Sequence, residues 1–291
     1  MREAAPAKLN LALHVTGRRA DGLHTLETLA AFTDLGDTVE VKAASRDRFA
    51  VEGPFAGALS GGGSADAPNL VERARDALRA ACPDAPPVAI TLQKRLPVAS
   101  GIGGGSADAA ATLRLLARHW NAPPATDLAA IAATLGADVP MCLQSRTLIA
   151  KGIGEVLRPA DLAALSSLAV LLVNPGVPVS TPDVFRALVS RENPPLADLP
   201  PPDGSVDGLL DWLHGARNDL EAPARSLAPP IGDALRALRG ADLARMSGSG
   251  ATCFGLYRSP ERAEEARRRI AKERPGWFAA ATTFRTEGEA P

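Results

Sequence analysis

The heptapeptide GGGSADA occurs twice in this 291-residue chain, at residues 61–67 and again at residues 103–109. Glycine runs let the backbone take conformations that other residues avoid, and their amides can surround an anion. The second copy follows alternating apolar residues at 88–92, which predict a strand. It precedes apolar residues at helical spacing: Leu113, Leu116, Ala117 and Trp120. We therefore predict a strand, a glycine loop and a helix in that order.

Ser106 is the predicted N-cap of the helix that follows the second copy. The amides of residues 103–106 would then converge at the positive end of the helix dipole, where a phosphate can bind. A glycine-rich turn that only lets strand and helix pack closely is the alternative interpretation. The chain contains neither GxxxxGK[ST] nor GxGxxG, so the common nucleotide-binding signatures are absent.

The first copy has different surroundings. Pro68 would be the fourth helical residue if Ser64 were an N-cap, where proline lacks the amide of the first helical hydrogen bond and its ring clashes with the carbonyl of the cap. We therefore expect residues 61–67 to form a flexible surface loop and the next helix to begin at Asn69.

Near the N-terminus, apolar residues alternate at positions 9, 11, 13 and 15, which predicts a half-buried strand. This alternation places Lys8 and Asn10 together on the opposite face. Two interpretations of Lys8 are open: a cation that contacts a phosphate or a carboxylate, or an ordinary exposed lysine of a strand.

Further strands are expected at residues 38–41, 168–173, 251–257 and 277–284, with a hairpin that turns at residues 152–154. One helix is expected to begin at the N-cap Thr126 and to end at Gly136, and another to begin at the N-cap Thr181. Two more helices are expected between residues 206 and 250, and a further one over residues 260–273. The proline-rich residues 193–205 are expected to form an exposed excursion. Mixed helices and strands in both halves predict two α+β domains, residues 1–158 and 159–291.

Composition excludes several classes of protein. The formal net charge is −1 and no basic block occurs, so we expect no nucleic-acid partner. The longest nearly apolar run, residues 162–173, is too short to span a bilayer, and we expect no membrane association. The three cysteines are far apart and show no zinc-site spacing, which indicates reduced thiols and a cytoplasmic protein.

The string LPVASGIGGGSADAAATLRLL at residues 96–116 resembles the phosphate-binding motif of the GHMP-kinase superfamily. Five other strings occur in one order along the chain: APAKLNLALHVTGRRADGLHTLETL, LGADVPMCL, NPGVPVSTPDVF, RNDLE and MSGSGATCFGLY. Together they resemble the 4-diphosphocytidyl-2-C-methyl-D-erythritol kinase family. The resemblance implies a ribosomal-protein-S5-like N-terminal domain, a ferredoxin-like C-terminal domain and an active site between them.

The resemblance also implies a reaction, in which ATP phosphorylates the 2-hydroxyl of a cytidylated methylerythritol in the non-mevalonate isoprenoid route. It gives Lys8 a catalytic role and makes Asp138 the general base. From position alone, Asp138 is equally a helix-capping aspartate. Our hypothesis is that Asp138 accepts the hydroxyl proton while Lys8 keeps Asp138 ionised; the alternative is that Asp138 only orients the hydroxyl.

ATP is the implied cofactor, and Mg²⁺ accompanies it, although no carboxylate cluster in the sequence identifies the ligands of the metal. The residues expected to bind ATP are those of the second glycine loop: Pro97, Gly101, Gly103, Gly104, Gly105, Ser106 and Ala107.

Substrate-binding residues are implied at four positions: Asn10, His24, Thr181 and Phe185. In most members of the family a tyrosine that stacks on cytosine precedes the histidine, whereas this chain has Leu23. We therefore predict that the base has one aromatic face, from Phe185, and one aliphatic face.

Two alternatives stay open. The chain could be another GHMP kinase that acts on a different small alcohol, or a nucleotide-binding module that has lost catalysis. The expected partner is the small-molecule substrate alone, for a monomer or a weak homodimer.

Overall fold

The computed structural model describes residues 1–60 and 69–285. The first GGGSADA copy, with the surface loop predicted for it, lies outside these residues. Ten strands occur in the described part: β1 Arg2–Arg18, β2 His24–Ala43, β3 Arg48–Glu52, β4 Val88–Gln93, β5 Leu148–Gly152, β6 Val156–Pro159, β7 Ala169–Asn174, β8 Leu243–Met246, β9 Cys253–Tyr257 and β10 Phe278–Thr283.

Ten α-helices connect or cover these strands within the same residues. They are α1 Ala56–Ser60, α2 Leu70–Ala81, α3 Gly104–His119, α4 Leu128–Leu135, α5 Val139–Gln144, α6 Thr181–Arg186, α7 Val206–Gly215, α8 Glu221–Leu227, α9 Pro230–Ala237 and α10 Pro260–Glu273. None of the helices in the described residues is long and apolar enough to cross a membrane.

The first sheet is built around β2, a strand of 20 residues. The sheet order is β3-β4-β2-β5-β6, and β1 also pairs with β2 along most of its length. The early part of β2 pairs with β5 and its later part with β4. β1 is thus the sheet strand that meets the second half of the chain, where Leu13 exchanges backbone hydrogen bonds with Arg217 and Asp219.

The alternation predicted for β1 does not run unbroken through the strand. A β-bulge shifts the register between Asn10 and Ala12, and others follow Pro6 and Val15. An extra residue on one strand re-aims the side chains beyond it. Lys8 and Asn10 border the cleft as predicted, but so does Leu13, which the simple alternation placed on the opposite face.

The second sheet is antiparallel with the order β10-β7-β9-β8. In chain order these strands occupy positions four, one, three and two, and helices connect the first to the second and the third to the fourth. This is the βαββαβ arrangement of ferredoxin-like domains, as predicted. β8 is not predicted by the sequence, and three helices, α7, α8 and α9, occur where two are predicted.

Several predicted helix starts needed correction by one or a few residues. The N-cap of α3 is Gly103 rather than Ser106, that of α4 is Asp127 rather than Thr126, and that of α6 is Ser180 rather than Thr181. The start of α2 is confirmed, because Asn69 caps it through a capping box with Glu72.

A cluster of buried side chains joins the two halves. It combines β1 and β2 side chains such as Leu9 and Leu29 with Leu172 and Phe254 from the second sheet. Residues 193–205 form no helix or strand, and Leu196 packs half-buried against this cluster. The helices and strands of both halves confirm the mixed α+β class. A domain boundary at residue 158 stays a prediction.

Candidate active site

A cleft of about 530 Å³ opens between the two halves. The first half contributes β1, β2 and the glycine loop before α3, and the second contributes α6 and the loop at residues 247–250. Both apolar and polar side chains line this cleft. Apolar side chains include Leu59, Leu70, Val98, Met141 and Val179, and charged or polar ones include Lys8, Asn10, Lys94, Asp108, Asp138 and Thr181.

The glycine loop turns sharply before α3. Gly101 and Gly103 have φ angles of +75° and +65°, in the left-handed region that favours glycine. Gly103 is the N-cap, so the first helical amides are those of Gly104, Gly105 and Ser106. The amide of Ala107 already donates to the carbonyl of Gly103 at 2.8 Å. The open amides at this helix end therefore belong to residues 104–106 and form an anion site.

Two lysines lie directly beneath this loop. A Cβ atom on Gly103 would lie 3.2 Å from the Cβ of Lys8, and one on Gly104 would lie 3.1 Å from the Nζ of Lys94. Both lysine side chains are 3% exposed. Side chains on these glycines would push the loop away from the lysines. Their absence lets the backbone amides and both positive charges face the same part of the cleft.

Lys94 was not predicted as a functional residue. Its Nζ donates to Asp108 at 2.8 Å and also to Asp37, whose other oxygen accepts the amides of Arg95 and Leu96. One ammonium thus serves two buried carboxylates. Burial raises the pKa of Asp108 to about 7, the charge of Asp37 adds to the rise, and Lys94 opposes it. The cluster joins β2, the end of β4 and α3.

The catalytic candidates meet across the cleft. Lys8 Nζ donates to Asp138 Oδ2 at 2.7 Å, although 130 positions separate the two residues. Asp138 occupies the N-cap position of α5, but its side chain makes no capping hydrogen bond. It is instead 41% exposed and faces the cleft. Burial raises the pKa of the neighbouring Cys142 thiol to about 12, so Cys142 stays neutral and does not compete for Lys8.

The arrangement therefore contains an anion-binding helix end, two buried cations and a carboxylate that solvent or a ligand can reach. Those are the groups that phosphoryl transfer requires, apart from the metal ion. Among the described residues no group of three or more His, Cys, Asp or Glu side chains is arranged to hold a metal.

Comparison with known proteins gives the family. Residues 69–146 match the GHMP kinases N terminal domain, and residues 203–275 match the GHMP kinases C terminal domain. A 4-diphosphocytidyl-2-C-methyl-D-erythritol kinase from Agrobacterium fabrum is 53% identical over 287 residues, which cover 96% of this chain and 95% of the relative. The corresponding kinase from Paracoccus denitrificans is also 53% identical, over 97% of this chain and 96% of its own. The chain belongs to the 4-diphosphocytidyl-2-C-methyl-D-erythritol kinase family.

Solved structures agree with this membership. A crystal structure of 4-(cytidine 5'-diphospho)-2C-methyl-D-erythritol kinase superposes with a TM-score of 0.76 at 35% identity, covering 97% of this chain and 99% of that one. A homoserine kinase from Cytophaga hutchinsonii has a TM-score of 0.71 at 19% identity and covers 97% of this chain and 94% of its own, which shows the shared fold alone. The two-domain GHMP-kinase fold is confirmed.

In this member of the 4-diphosphocytidyl-2-C-methyl-D-erythritol kinase family, three of the substrate-binding candidates, Asn10, Thr181 and Phe185, line the cleft, and the fourth, His24, contacts Phe185. The ring of His24 stacks on that of Phe185, with centroids 5.0 Å apart and an angle of 24° between planes. Thr181 Oγ1 is 2.7 Å from Ser249 Oγ. Leu23 is half-exposed, and its side chain does not border the cleft.

His24 is therefore the ring that faces Phe185 at the edge of the cleft. Its Nε2 is buried without a hydrogen-bond partner among the described residues. Burial lowers the pKa of His24, and the charges of Arg18 and Arg191 lower it further. In a neutral imidazole one ring nitrogen donates and the other accepts, so the unpartnered Nε2 can form a hydrogen bond with a ligand.

The loop at residues 247–250 packs directly against the glycine loop. Ser247 Oγ donates to the carbonyl of Gly101 at 3.0 Å and accepts the amide of Asn10 at 3.1 Å. A Cβ on Gly101 would lie only 2.6 Å from the carbonyl oxygens of Ser247 and Gly250. The second half thus fixes the position of the loop that belongs to the first.

Proposed function

We propose that this protein is an ATP-dependent kinase that phosphorylates the 2-hydroxyl of 4-diphosphocytidyl-2-C-methyl-D-erythritol, in the non-mevalonate route to isoprenoid precursors. The observation that carries the proposal is the Lys8–Asp138 pair, 2.7 Å apart, which lines the cleft directly beside the glycine loop. The family membership supplies the substrate.

The phosphates of ATP bind at the start of α3. The amides of Gly104, Gly105 and Ser106 donate to phosphate oxygens, and the ammonium of Lys8 lies beside them, while Lys94 supports the loop from below through Asp37 and Asp108. Pro97, Gly101 and Gly103 shape the loop, and Ala107 contributes to packing rather than through its amide, which is already used. The apolar side chains Leu59, Leu70 and Val98 accommodate the adenine base.

At the reacting centre, Asp138 orients the 2-hydroxyl and accepts its proton as the oxygen attacks the γ-phosphorus, the bond from the γ-phosphorus to the β,γ-bridging oxygen breaks and ADP leaves. The ammonium of Lys8 stabilises the carboxylate charge of Asp138 and the charge of the phosphoryl group in transfer. Because the transition state of phosphoryl transfer is loose, positioning and charge neutralisation contribute more than proton removal.

Mg²⁺ fits this cleft as a partner of ATP rather than as a resident ion. The cleft carboxylates of Asp108 and Asp138 are each paired with a lysine, while Asp108 keeps one oxygen without a partner among the described residues. Mg²⁺ is commonly held by substrate phosphates with one or two protein oxygens. Asp108 and the Ser106 hydroxyl are the candidate ligands, and the metal would neutralise charge on the phosphates.

The cytidyl group binds where Phe185, His24 and Thr181 meet, with Asn10 nearer the reacting centre. A base that stacks on Phe185 must separate it from His24, because centroids 5.0 Å apart leave no room for a ring between them. We place the enzyme in the cytoplasm, as its three cysteines are free and buried, and we propose a monomer or a weak homodimer.

The proposal is tested by ADP release from Mg-ATP with the cytidylated substrate, with homoserine, with mevalonate and without an acceptor. We expect release only with the cytidylated substrate. Release with another alcohol would favour a related GHMP kinase, and ATP binding without turnover on any acceptor would favour an inactive nucleotide-binding module.

The same assay tests the role of Asp138. Asp138→Asn should lower turnover by about 10²-fold or more if proton transfer contributes to catalysis. Asp127→Asn is the matched control, because Asp127 is also a helix N-cap aspartate but lies outside the cleft, and asparagine caps equally well. Near-normal turnover of Asp138→Asn would remove Asp138 from the mechanism.

A further inference from the structure

Asn10 reaches the cleft from β1 with a side chain that is almost fully buried, the residue being 3% exposed. Its Nδ2 donates to Thr28 Oγ1 on β2 at 2.8 Å. Thr28 is 1% exposed and also borders the cleft. The two side chains therefore share one buried polar contact at the wall of the proposed active site.

The hydroxyl of Thr28 has a second contact that decides the direction of this hydrogen bond. Its oxygen lies 2.6 Å from the carbonyl oxygen of Ala12. A carbonyl only accepts, and a hydroxyl has a single proton, so that proton is committed to Ala12. Toward Asn10 the hydroxyl can offer only a lone pair. Asn10 must therefore present its NH₂ group, because the flipped amide would place two acceptors together.

The fixed NH₂ group leaves Asn10 Oδ1 on the other side of the amide. No donor among the described residues bonds this oxygen, which is not among their buried, unpartnered atoms and so can be reached from the cleft. A Cβ on Gly248 would lie 3.3 Å from Oδ1, so a glycine there keeps the approach open. The Gly248 carbonyl is already bonded to Asn218.

We propose that Thr28 is a positioning residue for the alcohol substrate: it locks the Asn10 carboxamide with Oδ1 toward the cleft, where Oδ1 accepts a hydrogen bond from a hydroxyl of the polyol. Asn10 and Lys8 are two residues apart on one face of β1, so their Cα atoms are about 7 Å apart, and both side chains line the cleft. This spacing fits a hydroxyl of the same small polyol that is phosphorylated beside Lys8 and Asp138. The inference rests on the proposed function and adds a residue that orients its substrate.

Kinetics of three variants test the assignment. Thr28→Val keeps the shape but removes the lone pair that holds Asn10, and we expect KM for the alcohol to rise about tenfold, the loss of one hydrogen bond, with KM for ATP within about twofold. Thr28→Ser keeps the hydroxyl and should behave as the wild type. Thr33→Val is the matched control, since Thr33 lies on β2, is fully buried and donates to the Leu35 carbonyl away from the cleft.

A double-mutant comparison with Asn10 distinguishes the loss of positioning from a general disturbance of the structure. In an Asn10→Ala background, Thr28→Val should raise KM for the alcohol by less than about twofold, because nothing is left to position. An undiminished effect in that background, or an effect of Thr28→Val no larger than that of Thr33→Val, would overturn the proposal.

An NMR measurement that needs no catalytic turnover tests the role of Thr28 separately from the proposed function. The side-chain NH₂ resonances of Asn10 are identified in a ¹⁵N–¹H spectrum by their loss in Asn10→Ala. We expect Thr28→Val, but not Thr28→Ser, to shift them and to speed their exchange with solvent. Unchanged resonances would refute the lock even if the enzyme is active, whereas an inactive wild type with these shifts would refute only the proposed substrate.

Discussion

Replacing Asp108 with asparagine should remove a pH dependence of stability that originates beneath the glycine loop. Asp108 is 2% exposed, and one of its oxygens has no hydrogen-bond partner among the described residues. Lys94 pairs with it at 2.8 Å but also pairs with Asp37, so two carboxylates share one ammonium. Burial raises the pKa of Asp108 from 3.8 to about 7. The folded chain therefore keeps a proton that the unfolded chain releases.

The magnitude follows from the pKa shift. One pKa unit corresponds to about 1.4 kcal/mol, so a rise from 3.8 to about 7 corresponds to roughly 4 kcal/mol of unfolding free energy. Because the folded-state pKa is raised, this contribution is fully present below about pH 4 and is lost as the pH rises through about 7. Asparagine does not titrate. The stability of Asp108→Asn relative to the wild type should therefore improve by about 1 kcal/mol per pH unit over that window.

Urea unfolding of both proteins between about pH 5 and pH 8 measures the difference. Asp47→Asn is a control with the opposite sign, because hydrogen bonds from the Arg79 side chain lower the pKa of Asp47. Its stabilising contribution is lost only as the pH falls below 3.8, so its difference from the wild type should stay constant over this range. Parallel curves for Asp108→Asn and the wild type would refute the assignment of a raised pKa to Asp108.

Two further substitutions test the loop and the rim of the cleft. Gly101→Ala should lower the unfolding free energy by about 2–4 kcal/mol and weaken ATP binding, since its φ is +75° and its Cβ would lie 2.6 Å from two carbonyl oxygens. Urea titration against Gly57→Ala, whose Cβ meets no atom within 4 Å, checks this, and equal midpoints would contradict it. Leu23→Tyr should leave KM for the cytidylated substrate and KM for ATP unchanged within about twofold, because the side chain at this position does not border the cleft. A tenfold fall of KM for that substrate would show that residue 23 reaches the base after all.

Local sequence signals predicted much of the fold. The strand at residues 9–15, the helix start at Asn69, the hairpin at residues 152–154 and the helix at residues 260–273 all appear in the structure, although β1 is buried on both faces. Each depends on neighbours along the chain, through side-chain period, capping or a turn. The N-cap at Gly103 was missed because serine is the stronger capping residue, while the tight packing of the loop on Lys8 and Lys94 favours an earlier start.

The cleft could be predicted only in part, since its contacts join distant positions. The sequence offered Lys8 and Asp138 through the resemblance, but their 2.7 Å contact spans 130 residues. Lys94 left a weak signal, as one of few lysines and the last charged side chain but one before the glycine loop. Nothing local links Asp37 to Lys94, 57 residues away, or marks Thr28 as a partner of Asn10. Such contacts arise from strand pairing and cannot be read from periodicity.

The contacts between the two halves also determine where the site can adapt. Ser247 bonds both Gly101 and Asn10, and the Thr252 amide donates to the Ser100 carbonyl at 3.0 Å. A rotation of one half against the other would break all of these bonds and open the shared core, so the region around Gly101 should keep its geometry when ligands bind. The stack of His24 on Phe185 has no such support and must open for a base to enter. Catalytic positioning is therefore built into the closed junction of the halves, whereas recognition of the base depends on movement at the rim.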